Sequence, residues 1–244
     1  MIQFDQVHKT YPKQINQSPA HHALKGISLS LKQGETLGLI GQNGAGKSTS
    51  IRLLMGYIRA NQGTVQILND SHISPNTRKR IGYLPETSNF PPNLTCMELL
   101  RFAGRCCDMS KQDIANRSET LLQKLGIWDA RNRKVSDYSK GMRQRASFAT
   151  ALIHNPELLI LDEPMSGLDP IGRAEIIGLI QELQAQNKSI LFCSHLLDDV
   201  ERITNKVAIL HQGNMLYDGK IDALIQDDES LQDAFVRIVK GSTS

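Results

Sequence analysis

Residues 39–49 read LIGQNGAGKST, and this stretch decides the fold of the chain. It contains the pattern G-x-x-x-x-G-K-S over residues 41–48. An apolar run at residues 36–40 precedes the pattern, and a run compatible with a helix follows at residues 48–57. Strand, glycine-rich loop and helix in this order are typical of a phosphate-binding loop. A glycine-rich turn without a ligand is the plain alternative, which the complete match and its context disfavour. The stretch therefore predicts binding of a nucleoside triphosphate.

The loop has separate predicted tasks for its backbone and its side chains. Its glycines let successive N–H groups point at phosphate oxygens, and the helix after the loop adds its positive dipole end. Lys47 is predicted to reach the β- and γ-phosphates, and the Ser48 hydroxyl to bind Mg²⁺. The predicted nucleotide-binding residues of the loop are Asn43, Gly44, Ala45, Gly46, Lys47, Ser48 and Thr49.

Composition excludes several functional classes. The formal net charge of +3 is small and the Lys and Arg residues are scattered, so nothing argues for a nucleic-acid partner. The N-terminus carries no apolar run behind positive charge, which predicts no secretory signal. No apolar stretch reaches the length of a membrane span. Any work at a membrane is therefore expected to require a partner.

Two adjacent acids follow a second apolar strand. Residues 158–161 are continuously apolar, as in a strand buried on both faces, and Asp162 and Glu163 come directly after them. Asp162 is predicted to bind Mg²⁺ through water, and Glu163 to orient and polarise the attacking water. Burying both carboxylates without a cation or hydrogen-bond partners would be costly. Hydrolysis of the bound triphosphate is the expected result.

Two further side chains have candidate roles at the same edge of the sheet, where α/β proteins bind ligands, and a third lies before the second strand of a flanking sheet. Glu86 follows a predicted strand at residues 80–84 and could hold a Mg²⁺-bound water, or be a solvated loop charge. His195 follows a predicted strand at residues 189–193, and we expect it to contact the γ-phosphate, although a lone His is more often structural. Tyr11 could stack on adenine, or simply pack at a strand end.

The stretch from residue 87 to 154 is predicted to be a helical insertion. Apolar residues recur three and four apart at residues 97–106 and 114–125. Thr95 is a predicted N-cap with Glu98 completing a capping box. The predicted organisation is one domain over residues 1–244: an α/β core with a flanking β subdomain at 1–86 and 155–219, the helical subdomain at 87–154, and a short helical tail at 220–244. Residues 13–22 are predicted to form a loop.

Residues 137–145, DYSKGMRQR, precede a predicted helix at residues 146–153. Ser139 and Gly141 at a helix start would form an anion site from a hydroxyl and backbone N–H groups. Taken alone, the stretch is better read as an ordinary helix cap.

Five motifs in order, GQNGAGKST, YSKGMRQR, LLILDEP, SGLD and SH, resemble the ATP-binding cassette family, the ATPase subunits of ABC transporters. The resemblance extends to about Gly219. It implies an α/β fold with a P-loop NTPase (RecA-like) core, a flanking antiparallel β subdomain and an inserted helical subdomain. It also implies ATP and Mg²⁺ as cofactors, and a head-to-tail dimer that closes over two ATP molecules.

The resemblance assigns further roles. Ser139 and Gly141 would contact the γ-phosphate bound to the opposite subunit. Tyr11 would stack on adenine, His195 would contact the γ-phosphate, and Asp169 would communicate across the dimer. The implied partners are a membrane permease and a second ATPase subunit, most simply a homodimer. The implied location is the cytoplasmic face of the cell membrane, through the permease.

Two departures from the family pattern bear on the direction of transport. The family motif Leu-Ser-Gly-Gly-Gln reads Tyr-Ser-Lys-Gly-Met here, with Lys140 in place of a glycine, and Glu86 stands where Gln is usual. Both variants occur in exporter-type systems, so we expect export, with residues 86 to about 105 receiving the permease. The motifs YSKGMRQR and GYLPE are also similar to the ATPase of a copper-site assembly system for nitrous oxide reductase.

Two rival functions remain as alternatives. Soluble ABC ATPases of translation or DNA repair usually carry two cassettes or a long coiled coil, and this chain has neither. A P-loop GTPase would need Asn-Lys-x-Asp, but residues 205–208 read NKVA. Neither a GTPase nor a small kinase would explain the stretch from Ser139 to Arg145.

Overall fold

The computed structural model describes residues 1–12, 20–226 and 229–242. The strands within them are β1 Ile2–Tyr11, β2 His21–Leu31, β3 Thr36–Ile40, β4 Gln62–Ile67, β5 Ile81–Leu84, β6 Leu158–Asp162, β7 Ser189–Ser194, β8 Lys206–His211 and β9 Asn214–Lys220. The α-helices are α1 Lys47–Leu54, α2 Pro75–Arg78, α3 Cys96–Cys106, α4 Lys111–Lys124, α5 Lys140–Leu152, α6 Pro170–Ala185, α7 Leu197–Ile203, α8 Ile221–Leu224 and α9 Leu231–Gly241.

A six-stranded sheet in the order β5-β6-β7-β3-β8-β9 forms the centre of the molecule. Its first five strands run parallel, and β9 is antiparallel to β8. Every residue of β6 and β7 is buried, which is why both segments are almost purely apolar. The carboxyl ends of β3, β5, β6 and β7 therefore share one edge, where parallel sheets bind ligands.

A second, three-stranded antiparallel sheet has the order β2-β1-β4. Its apolar residues, such as Phe4 and Leu24, share a buried cluster with Leu39 of β3 and Ile51 of α1. This packing attaches the small sheet to the strand and helix on either side of the glycine-rich loop.

The helices α3, α4 and α5 lie in the chain between the parallel neighbours β5 and β6, in the stretch where the sequence predicts the helical insertion. Thr95 caps α3, and Glu98 completes the predicted capping box through the Thr95 backbone. Leu100, Leu122 and Phe148 pack in one buried cluster from the three helices. In the described residues no helix combines the length and apolarity required to span a bilayer.

Several predicted boundaries are wrong. Of the loop predicted at residues 13–22, residues 13–19 lie outside the described ranges, whereas His21 and His22 begin β2, paired with the end of β1. Both histidines are exposed, so the apolar pattern could not reveal this strand end. Helix α5 begins at Lys140 instead of residue 146, since its first two turns are polar. The short helices α2 and α7 were not predicted, and α8 lies at the start of the predicted helical tail.

The buried cluster of the helical insertion yields a stability prediction. Phe148 is 0% exposed, so Phe148→Ala should lower the free energy of unfolding by about 3–5 kcal/mol through lost burial and a cavity. Phe102 on α3 is 70% exposed, and Phe102→Ala should change it by less than about 0.5 kcal/mol. Urea denaturation measures both; equal losses in the two variants would contradict the packing described.

Candidate functional site

The glycine-rich loop, residues 41–48, is held tightly between the two sheets. A Cβ on Gly41 would lie 2.4 Å from the Leu210 carbonyl oxygen. Gly46 has a φ of +117° and a Cβ there would lie 2.7 Å from Leu24 Cδ2, so larger residues are excluded by both space and backbone conformation. These contacts explain the glycines of the motif: the loop backbone must approach its neighbours closely before it can curl around a ligand.

The loop encloses a cavity of 130 Å³. The lining residues are His21, Ala23, Gln42, Asn43, Gly44, Ala45, Gly46, Lys47, Ser48 and Thr49. Helix α1 begins at Lys47 after Gly46, with no side-chain hydrogen bond to cap it. Its first backbone N–H groups can therefore bind an anion, aided by the helix dipole.

Lys47 is the cation of this cavity. Its Nζ donates to the Gly41 carbonyl oxygen at 2.6 Å and more weakly to the Gln42 carbonyl at 3.4 Å, and the residue is only 7% exposed. The ammonium is thus already held against the loop backbone, where phosphate oxygens could compete for it.

Asp162 ends β6 in a negatively charged setting. Burial raises the pKa of its carboxyl to about 6, and repulsion from Glu86 and Glu163 adds to this. Lys47 acts on the pKa in the opposite direction, so all four groups lie within electrostatic reach. A divalent cation would relieve this repulsion, and the donor set fits Mg²⁺: the carboxylate of Asp162 through water, the exposed Ser48 hydroxyl beside Lys47, and Glu86 at the edge.

Glu163 and His195 form a direct contact. Glu163 Oε2 lies 2.9 Å from His195 Nδ1, joining the residues that come after β6 and β7. The Glu163 side chain is 11% exposed, whereas that of His195 is 57% exposed and open to a ligand. Glu163 has a φ of +50°, an uncommon conformation for a residue with a side chain, and its N–H donates to the Cys193 carbonyl at 3.0 Å. The carboxylate is therefore fixed from both its backbone and its side chain.

Tyr11 lies beside the loop cavity at the end of β1. Its hydroxyl is 3.5 Å from Thr49 Oγ1, and Lys9 Nζ lies 5.6 Å from its ring centre. The sequence did not predict that His21, paired with Tyr11 across the small sheet, also lines the cavity. The sequence gives the number of residues between Tyr11 and His21 but not the path of the chain between them. The pairing of the two residues could therefore not be predicted.

Ser139, Gly141 and Asp169 are placed differently. Ser139 caps α5 by accepting from the Met142 N–H at 3.1 Å, and Asp169 caps α6 by accepting from the Gly172 N–H at 2.8 Å. Gly141 lies in the first turn of α5. Among the described residues, neither Ser139 nor Gly141 lines the loop cavity.

Comparison with known proteins agrees with this geometry. A family model described as ABC transporter matches residues 24–166. An uncharacterized ABC transporter ATP-binding protein of Synechocystis sp. is 41% identical over 212 residues, which are 86% of this chain but only 60% of that protein. The Nod factor export ATP-binding protein I of Cupriavidus metallidurans is 34% identical over 210 residues, or 85% of this chain and 69% of that protein.

Solved structures agree on the fold. The structure of the ATP-binding subunit of an ABC transporter superposes with a TM-score of 0.88 at 28% identity, covering 97% of this chain and 98% of that one. A dimeric post-hydrolysis state of the ATP-binding cassette MJ0796, bound to ADP and Pi, gives a TM-score of 0.81 at 25% identity, covering 91% and 99%. The predicted α/β cassette fold is confirmed, and the chain belongs to the family of ABC transporter ATP-binding proteins.

Proposed function

We propose that this chain is the nucleotide-binding subunit of an ABC transporter, and that it hydrolyses ATP to drive a membrane permease. The observation that carries the proposal is the fixed Glu163 carboxylate, bonded to His195 beside Asp162 at the edge that holds the phosphate loop. Glycines, a lysine, three acids and a histidine at one edge match the requirements of phosphoryl transfer to water.

Binding would use groups already present around the loop. The backbone of residues 43–49 and Lys47 would hold the phosphates, and Tyr11 would stack on adenine above Thr49. Ser48, Asp162 and, through water, Glu86 would hold Mg²⁺, which supplies charge neutralisation on the phosphates when bound. Resting hydrogen bonds of Lys47 to loop carbonyls would give way to bonds with phosphate oxygens.

Hydrolysis would depend on Glu163. Its carboxylate accepts a hydrogen bond from a water molecule and takes the proton as the water oxygen bonds to the γ-phosphorus. The bond from that phosphorus to the β–γ bridging oxygen breaks, which releases ADP and phosphate. His195 contacts Glu163 through Nδ1, which would leave Nε2 on the exposed side of the ring to contact the γ-phosphate.

Completion of the site would require a second subunit. Ser139 and Gly141 lie at an exposed helix start and do not line the cavity of their own chain, in the described residues. A partner turned head to tail would offer its own phosphate-bound loop to this helix start, most simply as a homodimer. The dimeric assembly of the similar cassette supports this arrangement.

Export is the direction that we propose for the transporter. The variants Lys140 and Glu86 occur in exporter-type ATPases, and the name of one relative refers to Nod factor export. The subunit would sit on the cytoplasmic face of the membrane, with residues 86–105 against the permease. A soluble ABC ATPase and a copper-site assembly ATPase remain the rivals.

The role of Lys47 predicts a loss of binding. Lys47→Ala should weaken ATP affinity about 10–100-fold, because a charge-assisted hydrogen bond contributes about 1.5–3 kcal/mol. Calorimetry with ATP and Mg²⁺ measures this effect. Lys111→Ala, at the exposed start of α4, is the matched control and should bind normally. Equal affinities of the Lys47→Ala and wild-type proteins would contradict the assignment.

The role of Glu163 predicts slow turnover and a trapped dimer. Glu163→Gln should bind ATP but hydrolyse it about 100-fold or more slowly, because the amide cannot accept a proton. With ATP it should elute as a dimer on gel filtration. Adding Ser139→Arg, which fills the proposed trans contact, should restore the monomer. Near-normal turnover would refute the general base, and a dimer unaffected by Ser139→Arg would refute the trans site.

A membrane partner should be recoverable with the chain. Purification from detergent-solubilised membranes of the source organism should yield an integral membrane protein, identified by mass spectrometry. Phe102→Asp, on the exposed face of α3, should abolish its recovery, since a buried carboxylate costs several kcal/mol. Val236→Asp on α9 is the control and should retain it. Recovery of soluble proteins alone would favour the soluble rival.

A further inference from the structure

A second cavity, of 190 Å³, lies at the seam between the helical insertion and the core. Its walls come from α4, from the end of α5 and the turn after it, and from α6 with the turn after it. It shares no lining residue with the phosphate-loop cavity. A ligand here would therefore not compete with the nucleotide for the same residues.

Four leucines supply the apolar part of this seam cavity. They are Leu121 of α4, Leu152 of α5, and Leu179 and Leu183 of α6. All four are at most 9% exposed, so they also belong to the core. Apolar surface of this kind favours a ligand with a hydrocarbon portion over a fully hydrated ion.

The charged residues that line the same cavity carry a net positive charge. Arg117, Lys124 and Lys188 are cationic, and Glu182 is the acidic residue of the lining. Glu182 is already bound to Lys124 across the seam. In the described parts of the chain, neither Arg117 nor Lys188 forms an ion pair within 4.0 Å. Two cations thus face one small cavity without a carboxylate of their own.

The remaining contacts of these cations use part of their hydrogen-bonding capacity. Arg117 Nε and Nη2 donate to the carbonyls of Ile153 and Leu152 at 2.6 and 3.0 Å, leaving the remaining guanidinium N–H groups for another acceptor. Lys188 Nζ has one long contact, 3.4 Å to the Asn155 carbonyl. Both side chains are anchored and still able to donate.

Of the other titratable groups that act on Lys188, Glu157 carries negative charge but is already paired with Arg80. Burial, and then repulsion from Arg117, lower the pKa of Lys188, with Glu157 opposing the shift. Burial lowers the pKa of His154 and repulsion from the same two cations adds to this, whereas the hydrogen bond to the Ile81 carbonyl opposes the shift. An anion between Arg117 and Lys188 would relieve this repulsion.

We propose that the seam cavity binds a small amphipathic carboxylate, with its head between Arg117 and Lys188 and its hydrocarbon chain against the four leucines. The volume is below the ~300–1,000 Å³ of drug-sized sites, so the ligand is a short one. Inorganic phosphate would leave the leucines uncovered, and a neutral alcohol would leave the cations unbalanced. A bound carboxylate would join α4 to α6 beside the Lys124–Glu182 ion pair.

Octanoate is the probe, used on the full chain without nucleotide. Calorimetry should give one site, and octanoate at about ten times its Kd should raise the Tm by about 3–6 °C. Octanol and inorganic phosphate should each bind at least about tenfold more weakly, because each lacks one half of the required chemistry. Equal binding of octanol or of phosphate would overturn the proposal.

Two substitutions in the cavity lining should change the affinity for octanoate in opposite directions, which tests the position of the site. Lys188→Met should weaken octanoate binding about tenfold or more, since it removes a cation that faces the head group. Glu182→Gln should tighten it, because it removes the acidic residue of the lining and frees Lys124. Lys111→Met, outside the cavity on the same helix as Arg117, is the matched control and should bind within about twofold of wild type. No octanoate binding, or no change in either variant, would refute the site.

Discussion

The parallel alignment of β3, β6 and β7 is the constraint on which the rest of this protein depends. The register pairs Ile40 with Ser194 and Asp162 with Cys193, so the three strands end at the same level. The phosphate loop, Glu163 and His195 come directly after these strand ends, so all three are placed at one edge. A slip of one residue would move a side chain by about 3.3 Å along the strand, more than a hydrogen bond tolerates. Core packing therefore sets the precision of the site.

Several energetically unfavourable features lie at that edge, and the surrounding structure holds them in place. Burial and two neighbouring acids raise the pKa of Asp162, and Glu163 adopts a left-handed backbone conformation. Such features persist only when the surrounding structure determines them strongly. Here the buried strands β6 and β7 and the Glu163 N–H bond to Cys193 do so. A cation would relieve the repulsion at this edge, which favours its binding there together with the phosphate chain whose charge it neutralises.

Much of this arrangement could be predicted from sequence because its signals are local. The strands of the central sheet are short apolar runs, and the acids and His195 come directly after them, so their shared edge was foreseeable. The bond between Glu163 and His195 was not, since it depends on side-chain conformations across two loops. The start of α5 at Lys140 was indicated by the Ser139 cap but not by the apolar pattern, because the first turns of the helix are polar. His21 was missed because a solvent-facing strand end has no apolar pattern.

The seam between the insertion and the core could not be predicted at all. Arg117, Lys124 and Lys188 are ordinary surface residues in the sequence, and Lys188 and Glu182 lie far along the chain from the other two. The fold brings these residues together around the four leucines of the seam cavity. Charge balance is a property of the folded surface, and it becomes visible only when the neighbours of each charge are known.

The cap of α5 has one further consequence. Ser139 Oγ accepts the Met142 N–H, which occupies a lone pair and leaves the hydroxyl proton to be donated elsewhere. The bond to its own helix thus orients the oxygen, with the proton still able to turn toward an acceptor outside the chain. A side chain that is already oriented loses less conformational entropy when it binds an acceptor. The same hydroxyl can therefore cap the start of its own helix and donate to an acceptor outside the chain without movement of its oxygen.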